Sequence, residues 1–458
     1  MRFVFTTLQT YESDFYGRVG AELIRRGHAV AHVTVSRASA RELREKGFEA
    51  VCLPDAIAAV GEPNDLAAEV RRIEDEYDLP SIREIYRTDR PCDGKPEEWS
   101  IRRTVRHVRA LERIFDELRP DVLVPEVGNE TMRVAAHLIA LRRGIPVLFL
   151  LYTIFPDPLR LYVDTLHAPI VPVDELRELT QAERDEVEAF RDVFTERARP
   201  IREHRRVPVE ARRVRIFAGH VARKLKDDRD NDYLHPWALL AQNVREWTRA
   251  RAAQPLYAEL DRGRPFVYFP LHVTDDYKIK KIIPHCIDQA SIVEQIADAL
   301  PPGYDLVLKE HPMSIGRNPL SLLRRLRRRA NTRLVSPFVS SHELMQKAAA
   351  VAVISSTVGL EALLYEKPVL TLGQPFFAGY GVTLDVDSFR EIREKVPALL
   401  RFRPDPERIL RFLHAAMRSC YPGAPVLVDR SDENAVTLAD SIERRAQEAL
   451  AERAAVPA

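Results

Sequence analysis

Only four cysteines occur in 458 residues, Cys52, Cys92, Cys286 and Cys420. Their scattered spacing excludes a disulfide framework and a zinc knuckle, and suits a reducing compartment. Long apolar runs are missing as well. No stretch approaches the ~20 apolar residues of a membrane-spanning helix, and the longest candidate, residues 145–155, reads as a buried strand and its loop. The opening MRFVFTTLQTYESD lacks the extended apolar region of a secretory signal. Formal net charge is only +1, without the basic excess of a dedicated nucleic-acid binder. No GxxxxGK[ST] loop is present, which argues against a P-loop ATPase. The expectation is a cytoplasmic protein, associated at most with the inner face of a membrane.

What is present is an ordinary globular balance, 45% apolar and 30% charged, over a length suited to two or three domains. Residues 2–6 read as a buried strand, 7–14 as a polar loop, 15–26 as a helix stopped by Gly27, and 29–35 as the next strand. That order begins a doubly wound α/β domain. Residues 48–53 suggest a third strand, and 59–105 read as inserted helices and loops. Helix–strand units follow at 104–124 and 130–151. A charged helical stretch occupies about 181–251, and FVYFPL at 266–271 opens a second α/β domain. Its further strands fall at 306–309, 332–334, 350–354 and 369–372. The resulting division is 1–180 as a first α/β domain and 181–260 as a helical linker or insertion. Residues 261–425 form a second α/β domain, and 426–458 a final helix packing back on the first domain.

Several polar loops follow predicted strands, where open parallel sheets place their ligands. In VAVISSTVGLEALLYEKPVLTLG a strand delivers Ser355, Ser356 and Thr357 to a helix start, with Gly359 permitting close approach and Glu361 one turn in. Hydroxyls and free N–H groups there suit an anion, and plain N-capping is the competing explanation. In LVLKEHP the strand ends in Lys309, Glu310 and His311, cationic groups suited to a phosphate, with Glu310 able to orient either neighbour. After 266–271 come His272, Thr274, Asp275 and Asp276; the Asp pair suits a divalent cation or equally a plain surface loop, no zinc-ligand spacing appears, and no metal site is expected. In the first domain PEVGNE carries Glu126 and Asn129, with Glu12 and Asp14 as rival carboxylates and Arg160 as an anion partner in the loop 152–160. Arg324, Arg325, Arg327, Arg328 and Arg329 form a basic helix face, solvated or attracted to an anionic surface.

The run FVYFPLHV, DQASIVEQI, LVLKEHP and VAVISSTVGLEALLYEKPVLTLG resembles the capsule polysaccharide biosynthesis proteins, over roughly residues 265–375. That family includes transferases that attach Kdo linkers to a lipid. The resemblance implies two Rossmann-like doubly wound domains facing a cleft, a GT-B-like fold, with the nucleotide-sugar held mainly by the C-terminal domain. Lys309, His311 and Pro312 match its KxHP-like element, and Ser355, Ser356, Thr357, Gly359 and Glu361 its Ser/Thr-rich element. Gln289, Ser291 and Gln295 fall where the family has a polar helix beside the donor. Relatives often carry Gln-Pro-Glu where this chain has Val273, Thr274, Asp275 and Asp276, so the sugar is not carried over.

The expected function is glycosyl transfer from a nucleotide-sugar to a glycan or lipid-linked acceptor, with no cofactor and no nucleic-acid partner. Glu126, Asp14 and His272 are the catalytic candidates. Gln289, Lys309, His311, Ser355, Ser356, Thr357, Gly359 and Glu361 are the donor-binding ones, and Asn129 and Arg160 stand on the acceptor side. A nucleotide-sugar 2-epimerase and a non-catalytic glycan- or lipid-binding subunit are the alternatives.

Overall fold

The computed structural model describes residues 1–167, 176–196, 211–261, 263–274 and 276–455, with only the backbone described for 211–214. Asp275 lies outside the described residues, as do parts of 168–210. Two compact units divide the chain. Unit 1 comprises Met1–Leu166, Val209–Pro236 and Cys420–Ala458, and unit 2 comprises His167–Pro208 and Trp237–Ser419. The segment 181–260 is thus shared between the two units.

Unit 1 contains a parallel sheet ordered β3-β2-β1-β4, built from β1 (Arg2–Thr7), β2 (Ala29–Thr34), β3 (Glu49–Cys52) and β4 (Val122–Pro125). These strands are nearly continuous apolar runs because both faces of the sheet are covered. The helix Thr10–Arg25 begins at Thr10 rather than at the expected position 15. A capping box causes the early start: Gln9 and Glu12 satisfy each other's main-chain N–H groups. A hairpin, β5 (Leu148–Tyr152) and β6 (Leu159–Val163), adjoins β4 through a bridge between Leu123 and Val147. The end of the loop expected at 152–160 is therefore strand. The helix Asp432–Ala455 packs against Thr10–Arg25, and its Leu438, Ala439 and Ile442 join Phe3, Phe5, Phe15 and Leu23 in one core.

Unit 2 holds β7 (Phe266–Pro270), β8 (Asp305–Lys309), β9 (Thr332–Val335), β10 (Ala350–Val353), β11 (Val369–Thr371) and β12 (Leu384–Asp385). All pair in parallel in the order β12-β11-β10-β7-β8-β9. The chain steps from β7 outward to β9, then returns to lay β10 on the other side of β7. The order reverses between β7 and β10, the place where open α/β sheets hold their ligands, and unit 1 has the same reversal between β1 and β4. The protein is α/β, with a Rossmann-like sheet in each unit. Five strands of unit 2 lie where the sequence places them; the two-residue β12 is too short to leave a period-two signal.

Candidate functional sites

In unit 2 the loops after β7 and β10 are tied together. The Ser355 N–H donates to His272 Nε2 at 3.1 Å, which makes Nε2 the unprotonated ring nitrogen. Burial, then Lys278 and His311, lower its pKa to about 3. Gln289, from the start of the helix Gln289–Ala299, grips the His272 main chain twice. Its Oε1 accepts the N–H at 2.9 Å and its Nε2 donates to the carbonyl at 3.2 Å. Gln289, expected beside the donor, is therefore spent on shaping the loop. His272, expected to be catalytic, presents Nε2 to a backbone amide.

The hydroxyl-rich turn is less open than expected. Ser355 N–H is taken by His272, and Val358 N–H donates to Ser356 Oγ at 3.3 Å. The amides of Ser356 and Thr357 and three hydroxyls remain at the turn. Gly359 is required by packing rather than by ligand approach, since a Cβ there would stand 2.6 Å from the Phe377 ring and 2.9 Å from Val353. Thr357 Oγ1 donates to Glu361 Oε1 at 3.4 Å, and burial raises the Glu361 carboxyl pKa against the pull of Thr357 and Lys309.

Lys309 closes β8 and is buried, its Nζ donating to Ser341 Oγ at 2.6 Å. Burial pushes its pKa down to about 8, with Glu361 acting the other way. His311 accepts the Met313 N–H on Nδ1 at 3.1 Å, which leaves the proton of the neutral ring on Nε2. Partial burial and Lys309 lower its pKa. Glu310 does not orient either neighbour. It turns inward, accepting from Tyr257 Oη at 2.5 Å and Asn318 Nδ2 at 2.7 Å.

Unit 1 gathers a second polar group at its own reversal. Glu126 follows β4, is buried, and accepts a hydrogen bond from Tyr16 Oη. Burial raises its pKa to about 7, outweighing the buried Arg133 guanidinium and the Tyr16 hydrogen bond. Arg133 donates to both Glu12 oxygens at 3.1 and 3.0 Å and to Glu130 at 3.1 Å. Glu12 also accepts the N–H groups of Leu8 and Gln9 at 2.7 and 3.2 Å. Gly128 has no room for a side chain, because a Cβ would strike the Glu130 carboxylate and stand 2.6 Å from Arg133. Asp14 does not join this group. With the helix starting at Thr10, position 14 falls on the exposed face, paired with Arg18 and Lys46 at 3.3 and 3.2 Å.

Asn129 fastens the 126–130 loop by donating to the Thr88 carbonyl at 3.1 Å. Arg160 is not on an open loop: it lies buried on β6 with its guanidinium 4.8 Å from the Tyr162 ring. A feature the sequence reading missed is a cavity of about 500 Å³ beyond β2 and β3, lined by Val35, Leu53, Trp99, Arg103, Arg106 and Tyr233 among others. Its signal was an aromatic–arginine stripe, Trp99, Arg102, Arg103 and Arg106, on one face of the helix Glu97–Leu118. Arg103 fixes the cavity wall to the Glu126 loop. It donates to Asp89 and Thr131 at 3.0 Å each and to Asp232 at 2.8 Å, while Asp89 caps Thr131 N–H at 3.0 Å.

Two Rossmann-like sheets, each with polar side chains collected where its strand order reverses, define a two-unit α/β protein. Residues 211–401 match the family model described as capsule polysaccharide biosynthesis protein. Two curated relatives are similar over part of their length. Protein FixF of Sinorhizobium fredii is 27% identical over 165 residues, 36% of this chain and 40% of that protein. Capsule polysaccharide modification protein LipA of Neisseria meningitidis serogroup B is 32% identical over 84 residues, 18% of this chain and 12% of that protein. The chain thus spans less than half the length of either. Among solved structures, the Thermosulfurimonas dismutans KpsC beta Kdo 2,4 transferase is 16% identical with a TM-score of 0.38, covering 65% of this chain and 79% of that one.

Proposed function

We propose that the chain is a glycosyltransferase, moving a sugar from a nucleotide-sugar donor to a glycan or lipid-linked acceptor in surface polysaccharide biosynthesis. One observation carries this reading. Within the family-matched stretch, Lys309, His311 and the 355–357 turn all stand at the carboxyl ends of strands in one parallel sheet. Lys309, the His311 Nε2–H and the Ser356 and Thr357 amides are the donors for the nucleotide phosphates, and Glu361 is the acceptor for sugar hydroxyls. Gln289 and His272 act as positioning residues that hold the turn in shape.

In unit 1 Glu126 is assigned as the base. With a pKa near 7 it is half ionised at neutral pH, where a general base works best. The acceptor oxygen bonds to the anomeric carbon as the bond from that carbon to the phosphate oxygen breaks. The acceptor proton passes to a general base, and the electron pair leaves with the phosphate, where Lys309 offsets the growing charge.

The test is a panel of UDP-, GDP-, ADP- and CMP-sugars incubated with the protein, with and without capsule-type acceptors. Acceptor-dependent nucleotide release is the expected result. Isomerisation of the donor without acceptor, or tight binding without turnover, would sink the transferase reading.

A further inference from the structure

The helix Pro236–Ala253 carries its apolar face outward. Leu240, Val244 and Trp247 recur at helical spacing and are 42%, 55% and 50% exposed, with Trp237 70% exposed at the same end as Leu240. The face turned toward the rest of unit 2 carries Gln242, Glu246 and Arg249 beside Leu239, Ala250 and the buried Ala253. Gln242 donates to Glu246 at 2.8 Å, Glu246 stands 3.7 Å from Arg317, and Arg249 donates to the Arg317 carbonyl at 3.3 Å. This orientation is built in. Gly316 has φ +78, and a Cβ there would collide with the Glu246 backbone, so the glycine lets the helix seat on this side. A helix serving only the core of a soluble domain has the reverse arrangement.

Charge identifies what this face fits. Glu246 is the single acid in the helix and is turned inward. Arg245 and Arg251 are exposed, and the Arg251 guanidinium lies 4.0 Å from the centre of the Trp247 ring. An apolar stripe edged by tryptophan and arginine, with no outward carboxylate, matches acyl chains beneath anionic headgroups. Unit 1 repeats the chemistry on its own helix Ala211–Lys226. There Ile216 and Leu225 are 48% and 63% exposed, Arg215 and Lys226 are exposed, and no acid occurs between positions 215 and 226.

The geometry points to an anionic membrane surface as the occupant of the outward face of the Pro236–Ala253 helix. This inference stands apart from the transfer reaction. The test is co-sedimentation of the full chain with phosphatidylglycerol–phosphatidylcholine vesicles and with phosphatidylcholine alone. Binding to the anionic vesicles, weakening with salt, is expected. V244E and W247E should each weaken it by roughly tenfold or more, and R251Q should weaken it on anionic vesicles only. Val244 and Trp247 are half exposed, so an unchanged melting transition separates lost docking from lost folding. Absence of binding to anionic vesicles, or full binding by V244E, overturns the proposal. So does a dimer in light scattering that V244E dissociates while vesicle binding is absent, since the occupant is then a second copy of this chain.

Discussion

Glu126 and Lys309 carry opposite perturbations from the same cause, the removal of water. For Glu126, ionised only above about pH 7, base catalysis requires kcat/KM to rise with pH through that point and then level off. Glu126→Gln should lower kcat by about 10²–10⁴-fold and abolish that limb, as read in a pH–rate profile. Lys309 loses its charge above about pH 8, so donor binding should weaken on the alkaline side. Lys309→Met should raise the donor KM about tenfold or more and remove this alkaline limb. Both residues were legible in the sequence, because Lys309 ends a buried strand and Glu126 directly follows one. Their tuning was not. Tyr16, Glu12 and Arg133 reach Glu126 from two helix starts, and a capping box decides which of Glu12 and Asp14 faces inward.

At the scale of elements, the ties between loops matter more than the loops themselves. The strand positions were readable from apolar runs, because both faces of each parallel sheet are covered. The link from Gln289 through His272 to Ser355 was not, since it joins residues far apart in sequence through main-chain groups that no side-chain pattern reports. Gln289→Ala leaves the buried His272 amide and carbonyl without that partner. The expected cost is about 1–3 kcal/mol in urea unfolding, with a higher donor KM as the 355–357 turn loosens. Gly359→Ala forces a methyl against the Phe377 ring and Val353, and should destabilise unit 2 by about 1–3 kcal/mol. The sequence reading took that glycine for a ligand contact; sequence alone does not distinguish a residue kept small for a ligand from one kept small for a neighbouring ring.

Across the molecule, buried histidines set the acid limit of stability. His32 in unit 1 and His272 in unit 2 have pKa values lowered to about 3 by burial, and His32 has no hydrogen-bond partner on either ring nitrogen among the described residues. Unfolding frees both rings to take up protons at about pH 6.5, whereas the folded rings stay neutral down to about 3. Stability should therefore hold above pH 6.5 and fall below it, by about 1.4 kcal/mol per pH unit for each such ring. Urea midpoints at pH 7.5 and pH 5 measure this, and His32→Leu should shrink the difference. The order of synthesis follows from the way the units are threaded. The residues that complete the hydrophobic interior of unit 1, Leu438, Ala439 and Ile442, leave the ribosome after all of unit 2 has been made. Until then Phe3, Phe5 and Phe15 lack that part of their cover, so one side of the nascent unit 1 core stays open to water while unit 2 is being made.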